Sequence, residues 1–303
     1  MSSRFTALRI QPCARRFGAS VLVILMASTL LAACERAPAR QPAAAASSVP
    51  AGSAVAILRS DFAATLPAGQ PITIDNPYGD VHVRFGGFEH KVDGHVVLQE
   101  PKGAAHITLA ASVADGRYIV APRLPANTIL REGQRLDMSV FVPEGHDLHV
   151  KTEQGLIDVR GVHGNVEMET VAGDITLRGI KGAVQAQTRD GTIEASLGSA
   201  PRGARQRLAT TTGELQVGVD DRLDAAVQMA TSAQFATDYS LTVERRAGQE
   251  PNKIARTVIG EKHSSLVLES RRGEIRLLRR AGFTSVGDAP DADAEEQEDN
   301  DSD

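Results

Sequence analysis

Tryptophan is missing from this 303-residue chain, and three tyrosines and eight phenylalanines bring the aromatics to only 4%. Such a chain has little of the ring surface on which sugars and unstacked bases usually rest. A basic surplus is missing too, the formal net charge being −5. Without the four arginines ahead of residue 17 and the nine acidic residues of 288–303, basic and acidic side chains balance at 29 each. A nucleic-acid binder would carry excess positive charge in its folded part, so that class is disfavoured. Cysteine is reduced to Cys13 and Cys34. No phosphate loop, Ser/His/Asp order or Cys/His nucleophile stands out, so no catalytic residue and no cofactor is expected.

What is present begins with an address. Arg4, Arg9, Arg15 and Arg16 precede an uncharged stretch, 17–33, that contains Val21-Leu22-Val23-Ile24-Leu25-Met26. A positive front, an apolar middle and small residues before a cut site make a secretory signal. The stretch falls short of the roughly 20 apolar residues of a permanent spanning helix. Leu31-Ala32-Ala33-Cys34 resembles a lipobox, the bacterial lipoprotein signal. That resemblance implies removal of residues 1–33 and acylation of Cys34, palmitate included, with the membrane as the first partner. One cysteine then remains, so no internal disulfide can form. Glu35 follows where Asp would favour inner-membrane retention, which by resemblance to enterobacterial sorting directs the lipoprotein to the outer membrane. The face, periplasmic or surface, stays open. Residues 34–53, rich in Ala and Pro, are expected to be a flexible tether, and 281–303 a disordered acidic tail.

The 54–280 stretch is organised by glycine. Gly155, Gly164, Gly173, Gly182 and Gly191 recur every ninth residue, each followed by a short alternating strand such as Ile157-Asp158-Val159-Arg160 or Ile175-Thr176-Leu177-Arg178. Alternation puts one set of side chains inward and the other outward, and glycine is expected to supply the unusual backbone angles of each corner. A longer period of 18 overlies it: Thr152, Thr170 and Thr188 each open a Thr-x-x-Gly, and Arg160-Gly161-Val162-His163-Gly164 recurs as Arg178-Gly179-Ile180-Lys181-Gly182. Two strands and two corners per repeat predict one coil of an all-β, single-domain β-solenoid, or β-helix, with coils of roughly 18–22 residues stacked over a continuous core. Thr210-Thr211-Thr212-Gly213 comes late, which places a protruding loop within 197–207. Asn76-Pro77-Tyr78-Gly79 marks an early coil and Ser270-Arg271-Arg272-Gly273 the last. Arg279 and Arg280 are expected to close the stack with charge, which discourages polymerisation and predicts a monomer. At Thr231-Ser232-Ala233-Gln234 the pattern would put glycine in place of Gln234, so an irregular corner is expected.

The residues Asp137-Met138-Ser139-Val140-Phe141-Val142-Pro143-Glu144-Gly145, the following Leu148-His149-Val150-Lys151-Thr152, and the glycine-led strands resemble the putative-adhesin β-strand-repeat domains of bacteria. The resemblance covers about residues 55–280. It implies a β-helix in the cell envelope and carries over no catalytic residue.

The remaining chemistry is sparse. Calcium-binding nonapeptide repeats would place a regular Asp in every nonamer, and none recurs. Asp158, Thr176 and Glu194 project onto one outer ladder, Arg160, Arg178 and Ser196 onto another, and Glu167 and Glu169 onto Gln185 and Gln187. No carboxylate pair repeats at a spacing that glycoside hydrolysis would use; these faces are expected to be solvated. His146 and His149 form the only close histidine pair and are expected to be plain surface residues, so no metal is expected. Arg202, Arg205 and Arg207, in the inserted loop, are the candidate ligand-binding residues, directed at anionic lipid or polysaccharide, with Arg245, Arg246, Arg271 and Arg272 as further loop cations. The resulting expectation is a membrane-anchored envelope lipoprotein, not an enzyme, presenting a β-solenoid for binding or adhesion to an envelope polysaccharide or protein. The alternatives are a periplasm-facing scaffold or signalling accessory, and a carbohydrate-active β-helix enzyme.

Overall fold

The computed structural model describes residues 55–280; the leader, Cys34, the tether and the acidic tail lie outside the described residues. Within them the chain is all-β. In chain order the strands are β1 (Val55–Thr65), β2 (Ile72–Asn76), β3 (Val81–Phe85), β4 (Lys91–Pro101), β5 (Thr108–Ala114), β6 (Arg117–Arg123) and β7 (Arg135–Val142). The repeat follows as β8 (Leu148–Gln154), β9 (Ile157–Arg160), β10 (Val166–Ala172), β11 (Ile175–Arg178), β12 (Val184–Asp190), β13 (Ile193–Leu197), β14 (Arg205–Thr210) and β15 (Leu215–Val219). The last six are β16 (Ala225–Thr231), β17 (Phe235–Thr237), β18 (Thr242–Arg245), β19 (Lys253–Ile259), β20 (Ser264–Ser270) and β21 (Ile275–Arg279).

These strands form two large mixed sheets, one of ten strands and one of eleven. Through the repeat the chain alternates between them. Odd-numbered β9, β11, β13 and β15 lie parallel in the first sheet, and even-numbered β8, β10, β12 and β14 lie parallel in the second. The register follows the 18-residue period: Val166 stands opposite Leu148 and Val184, and Ile175 opposite Ile157 and Ile193. After the inserted loop, Gln185 pairs with Arg207, 22 positions on.

Alternating side chains from both sheets point into one core. Val166 and Met168 of β10, Ile175 and Leu177 of β11, and Ile193 and Ala195 of β13 are all buried. Burying a branched or long aliphatic side chain contributes about 1.5–3 kcal/mol, so each added pair of strands carries its own share of stabilisation.

The repeated threonines also point inward, and this explains Thr-x-x-Gly. Thr152 donates to the Thr170 hydroxyl over 2.8 Å, while Thr188 and Thr210 donate to the carbonyls of Gly173 and Gly191 at 3.0 and 2.9 Å. A buried carbonyl at a corner would otherwise go unpaired. At the irregular Thr231-Ser232-Ala233-Gln234 corner, Thr231 still reaches the Gly273 carbonyl at 2.7 Å, but the strand that follows, β17, has only three residues.

The glycines serve a different purpose from the one expected. Of the five in the nine-residue series only Gly155 takes a left-handed φ, +148°; between β8 and β13 the other left-handed angles belong to Gly161 and Gly179. Gly173, Gly182 and Gly191 instead lie against the preceding repeat: a Cβ on any of them would come within 2.0–2.1 Å of a glycine carbonyl oxygen there. They are required by close approach of stacked backbones.

The ends depart from chain order. Strand β20 lies between β14 and β16, and β21 between β15 and β17, so the last repeat in sequence is not the outermost in space. The opposite end does the same: β2 separates β6 from β8, and β3 separates β7 from β9. Arg279 and Arg280 therefore do not close the stack. Antiparallel strands end three of the four sheet edges, β4 and β1 beyond β7, β5 beyond β6, and β19 with β18 beyond β16, and the short parallel β17 ends the fourth.

Candidate functional site

The three candidate arginines do not converge. Arg202, in the connection between β13 and β14, sits 2.9 Å from His263 Nε2, and His263 is in turn held by Asp224. Arg207, on the outer face of β14, pairs with Glu269 at 3.0 Å and reaches Gln187 at 3.4 Å. Arg205 points the same way and has no side-chain partner among the described residues. Only Arg205 and Arg207 share a face, and only Arg205 is unengaged.

That face belongs to the second sheet, and parallel registration turns its outward side chains into rows. One row runs Thr73, His149, Glu167, Gln185, Arg207, and the next runs Asp75, Lys151, Glu169, Gln187. Neighbouring strands lie about 4.8 Å apart, so each row is a ladder of polar groups at a fixed step. A shallow pocket opens between the rows, lined by Glu167, Glu169, Gln185, Gln187 and Arg207. Glu167 and Glu169 take part in no ion pair among the described residues, although Lys151 stands opposite Glu169. The side-chain nitrogen Nε2 of His149 is buried without a hydrogen-bond partner, and so is Oγ1 of Thr73 beside it.

The two histidines of His146-x-x-His149 part company. His149 lies half-buried on this outer face, as alternation predicts. His146 is fully buried rather than a surface residue. Its Nδ1 donates to the Gln70 carbonyl at 2.8 Å, and Nε2 lies 3.0 Å from Nδ1 of His90. Its turn precedes β8 and is covered by Gln70 and His90, 76 and 56 residues earlier, which no local pattern announces.

On the outer face of the first sheet, charges are internally matched. The expected ladder of Asp158, Thr176 and Glu194 is present in register. Asp158, however, is only 4% exposed rather than solvated. Arg84 contacts it at 2.5 Å, Arg160 at 3.1 Å and His82 at 3.6 Å. Burial opposes its charge, but the hydrogen bonds from His82, Arg160 and Arg84 and the nearby Arg84 charge outweigh that and hold its carboxyl well below the usual carboxylate range. Glu194 is likewise occupied, by Arg178 at 2.9 Å.

The contrast singles out the second sheet. Its outer face keeps Glu167, Glu169, Gln185 and Nε2 of His149 free of internal partners among the described residues, and groups without internal partners are the ones a ligand can engage. The sequence projected Glu167 and Glu169 forward onto Gln185 and Gln187. It missed the backward step of 18 residues that joins Glu167 to His149, although the same period carried that signal.

No protein-family model matches the chain, and no curated protein matches it. Among solved structures it is similar to one from Clostridium sporogenes described as a putative cell adhesion protein. The identity is 10%, covering 74% of this chain and all of the other, with a TM-score of 0.44. A second, described as a putative adhesin from Bacteroides fragilis, is 11% identical over 73% of this chain and 97% of its own, with a TM-score of 0.32.

Proposed function

We propose that the chain is a membrane-anchored lipoprotein of the cell envelope whose two sheets are the walls of a β-solenoid, and that it binds rather than catalyses. The outer face of the second sheet is its binding surface. One observation carries this: Thr73, His149, Glu167, Gln185 and Arg207 stand in register across five neighbouring strands, and the next row keeps Glu169 and Gln187 beside them. Evenly stepped carboxylate, carboxamide and guanidinium groups suit a partner that repeats along its own length and offers hydroxyl, amide and charged groups. An envelope polysaccharide has that chemistry. With so few rings on the chain, affinity would come from hydrogen bonds and charge rather than stacking.

Anchoring is supported by Leu31-Ala32-Ala33-Cys34 and the arginine-led apolar leader. Two or more acyl chains, each methylene contributing roughly 0.8 kcal/mol, hold a protein to a membrane durably where a single chain does not.

The test is retention of isolated envelope polysaccharide by the purified protein, compared with a variant carrying Glu167→Ala, Gln185→Ala and Gln187→Ala. Loss of retention with an unchanged far-UV spectrum supports the assignment, whereas equal retention by the variant refutes it for this face.

A further inference from the structure

We propose that His149, Glu167 and Glu169 form a binding site for a divalent transition-metal cation of the zinc type. The inference goes beyond the polymer-binding face, since it concerns a small cation held by three side chains of the chain itself.

Three observations lead to it. One ligand atom from each residue lies within 4.8 Å of the other two, an imidazole nitrogen and two carboxylate oxygens. The imidazole Nε2 is buried and unpartnered. An unsatisfied buried nitrogen costs roughly 1–3 kcal/mol, and metal coordination is one way to remove that cost. Finally, the two glutamates point to the same side of β10 and have no cationic partner among the described residues. Two adjacent carboxylates with no internal counter-charge repel each other, and a dication between them reverses that.

The donor set selects the class of ion. Calcium and magnesium take oxygen ligands almost exclusively, while imidazole suits zinc and its transition-metal neighbours. Zinc bonds to His nitrogen and carboxylate oxygen at about 2.0–2.2 Å, which puts ligand atoms about 3.4 Å apart in a tetrahedron. The ligand atoms already lie within 4.8 Å of one another, and the side chain of Glu167 is exposed and has room to turn inward. Backbone pairing already fixes the spacing, because Glu167 is the cross-strand neighbour of His149 and Glu169 lies two residues further along the same strand. Three protein ligands leave a fourth position open, to water or to a group on the bound partner. Lys151 is the competitor, standing opposite Glu169 as an internal cation that could occupy the carboxylates instead.

The experiment is calorimetric titration of chelator-stripped full chain, in detergent, with zinc chloride. The variants His149→Gln, Glu167→Gln with Glu169→Gln, and, as a control, His163→Gln are titrated alongside. The control residue pairs with Glu144. The expected result is one site with Kd below about 10 μM. Affinity should fall at least about tenfold in the first two variants and be retained in the control. Binding weaker than that, or binding that the His149 and glutamate variants leave unchanged, overturns the site. Circular dichroism on every variant separates loss of a ligand from loss of fold.

Discussion

Gly191 stacks so closely on Gly173 that a Cβ added to Gly191 would lie 2.0 Å from the Gly173 carbonyl oxygen. Real Cβ atoms do not come that near to a backbone oxygen, so an alanine there must push two repeats apart. We expect Gly191→Ala to destabilise the fold by about 1–3 kcal/mol, the range of overpacked core sites. At Gly198 nothing lies within 4 Å of the added Cβ. Gly198→Ala should therefore stay within about 0.5 kcal/mol of the parent. Urea unfolding of the pair measures the difference, and equal midpoints would remove close approach as the reason for the nine-residue glycine series.

Thr188 donates to the Gly173 carbonyl from a buried position. Thr188→Val keeps the shape and leaves that carbonyl unpaired, at a cost of about 1–3 kcal/mol. Thr188→Ser restores the donor and should recover most of the loss in the same unfolding assay. A valine variant as stable as the parent would mean the motif serves packing alone.

The acid stability of the domain should depend on Asp158. Its carboxyl is held below the usual range by His82, Arg160 and Arg84 against the opposing effect of burial. A depressed folded pKa means that the ionised carboxylate contributes stability above the unfolded value of about 3.9, and that this is lost as pH falls through the folded value. Asp158→Asn should cost about 2 kcal/mol at pH 7, the scale of a hydrogen bond to a charged group. The variant should also flatten the decline below pH 4. Identical acid titration curves for parent and variant would show that the arginine cluster on this face is structurally idle.

Removing the last repeat should not shorten the stack by one step. Since β20 pairs with both β14 and β16, deleting 261–280 leaves β16 without its parallel neighbour and β19 joined to the sheet only through β16. We expect global loss of cooperative unfolding, seen as a broadened thermal transition. A sharp transition at slightly lower temperature would indicate that β16 re-pairs with β14.

Cys34→Ser should abolish acylation and move the protein from the membrane to the soluble fraction of lysed cells. A variant that still sediments with membranes would exclude the lipoprotein assignment. Proteolysis of the folded domain on intact and lysed cells then decides which face it occupies.

Much of the centre of the fold was legible because its signals are local and repeated. The period of 18 gave the register of β8 to β13 directly, and the late Thr210 located the connection between β13 and β14. The candidate site was legible only in part. Arg205 and Arg207 were expected in the inserted loop but lie on the outer face of β14, and the tie of Arg207 to Glu269 joins residues 62 apart. The burial of His146 likewise depends on Gln70 and His90, which belong to different segments.

By itself the sequence determined that the strands of the repeat alternate between two sheets, which side chains point inward, and how consecutive repeats align. Those features follow from a two-residue side-chain period and an 18-residue repeat, both properties of neighbouring residues. Only the tertiary structure decided the order of the ends, with β2 and β3 inserted behind β6 and β7, and β20 and β21 inserted before β16 and β17. Strands with the same alternation can pair in parallel with any similar strand, so the pattern does not rank partners. The ranking comes from the antiparallel β4, β5 and β19, which cover three of the four sheet edges, and from connections long enough to carry the chain back between two strands already formed.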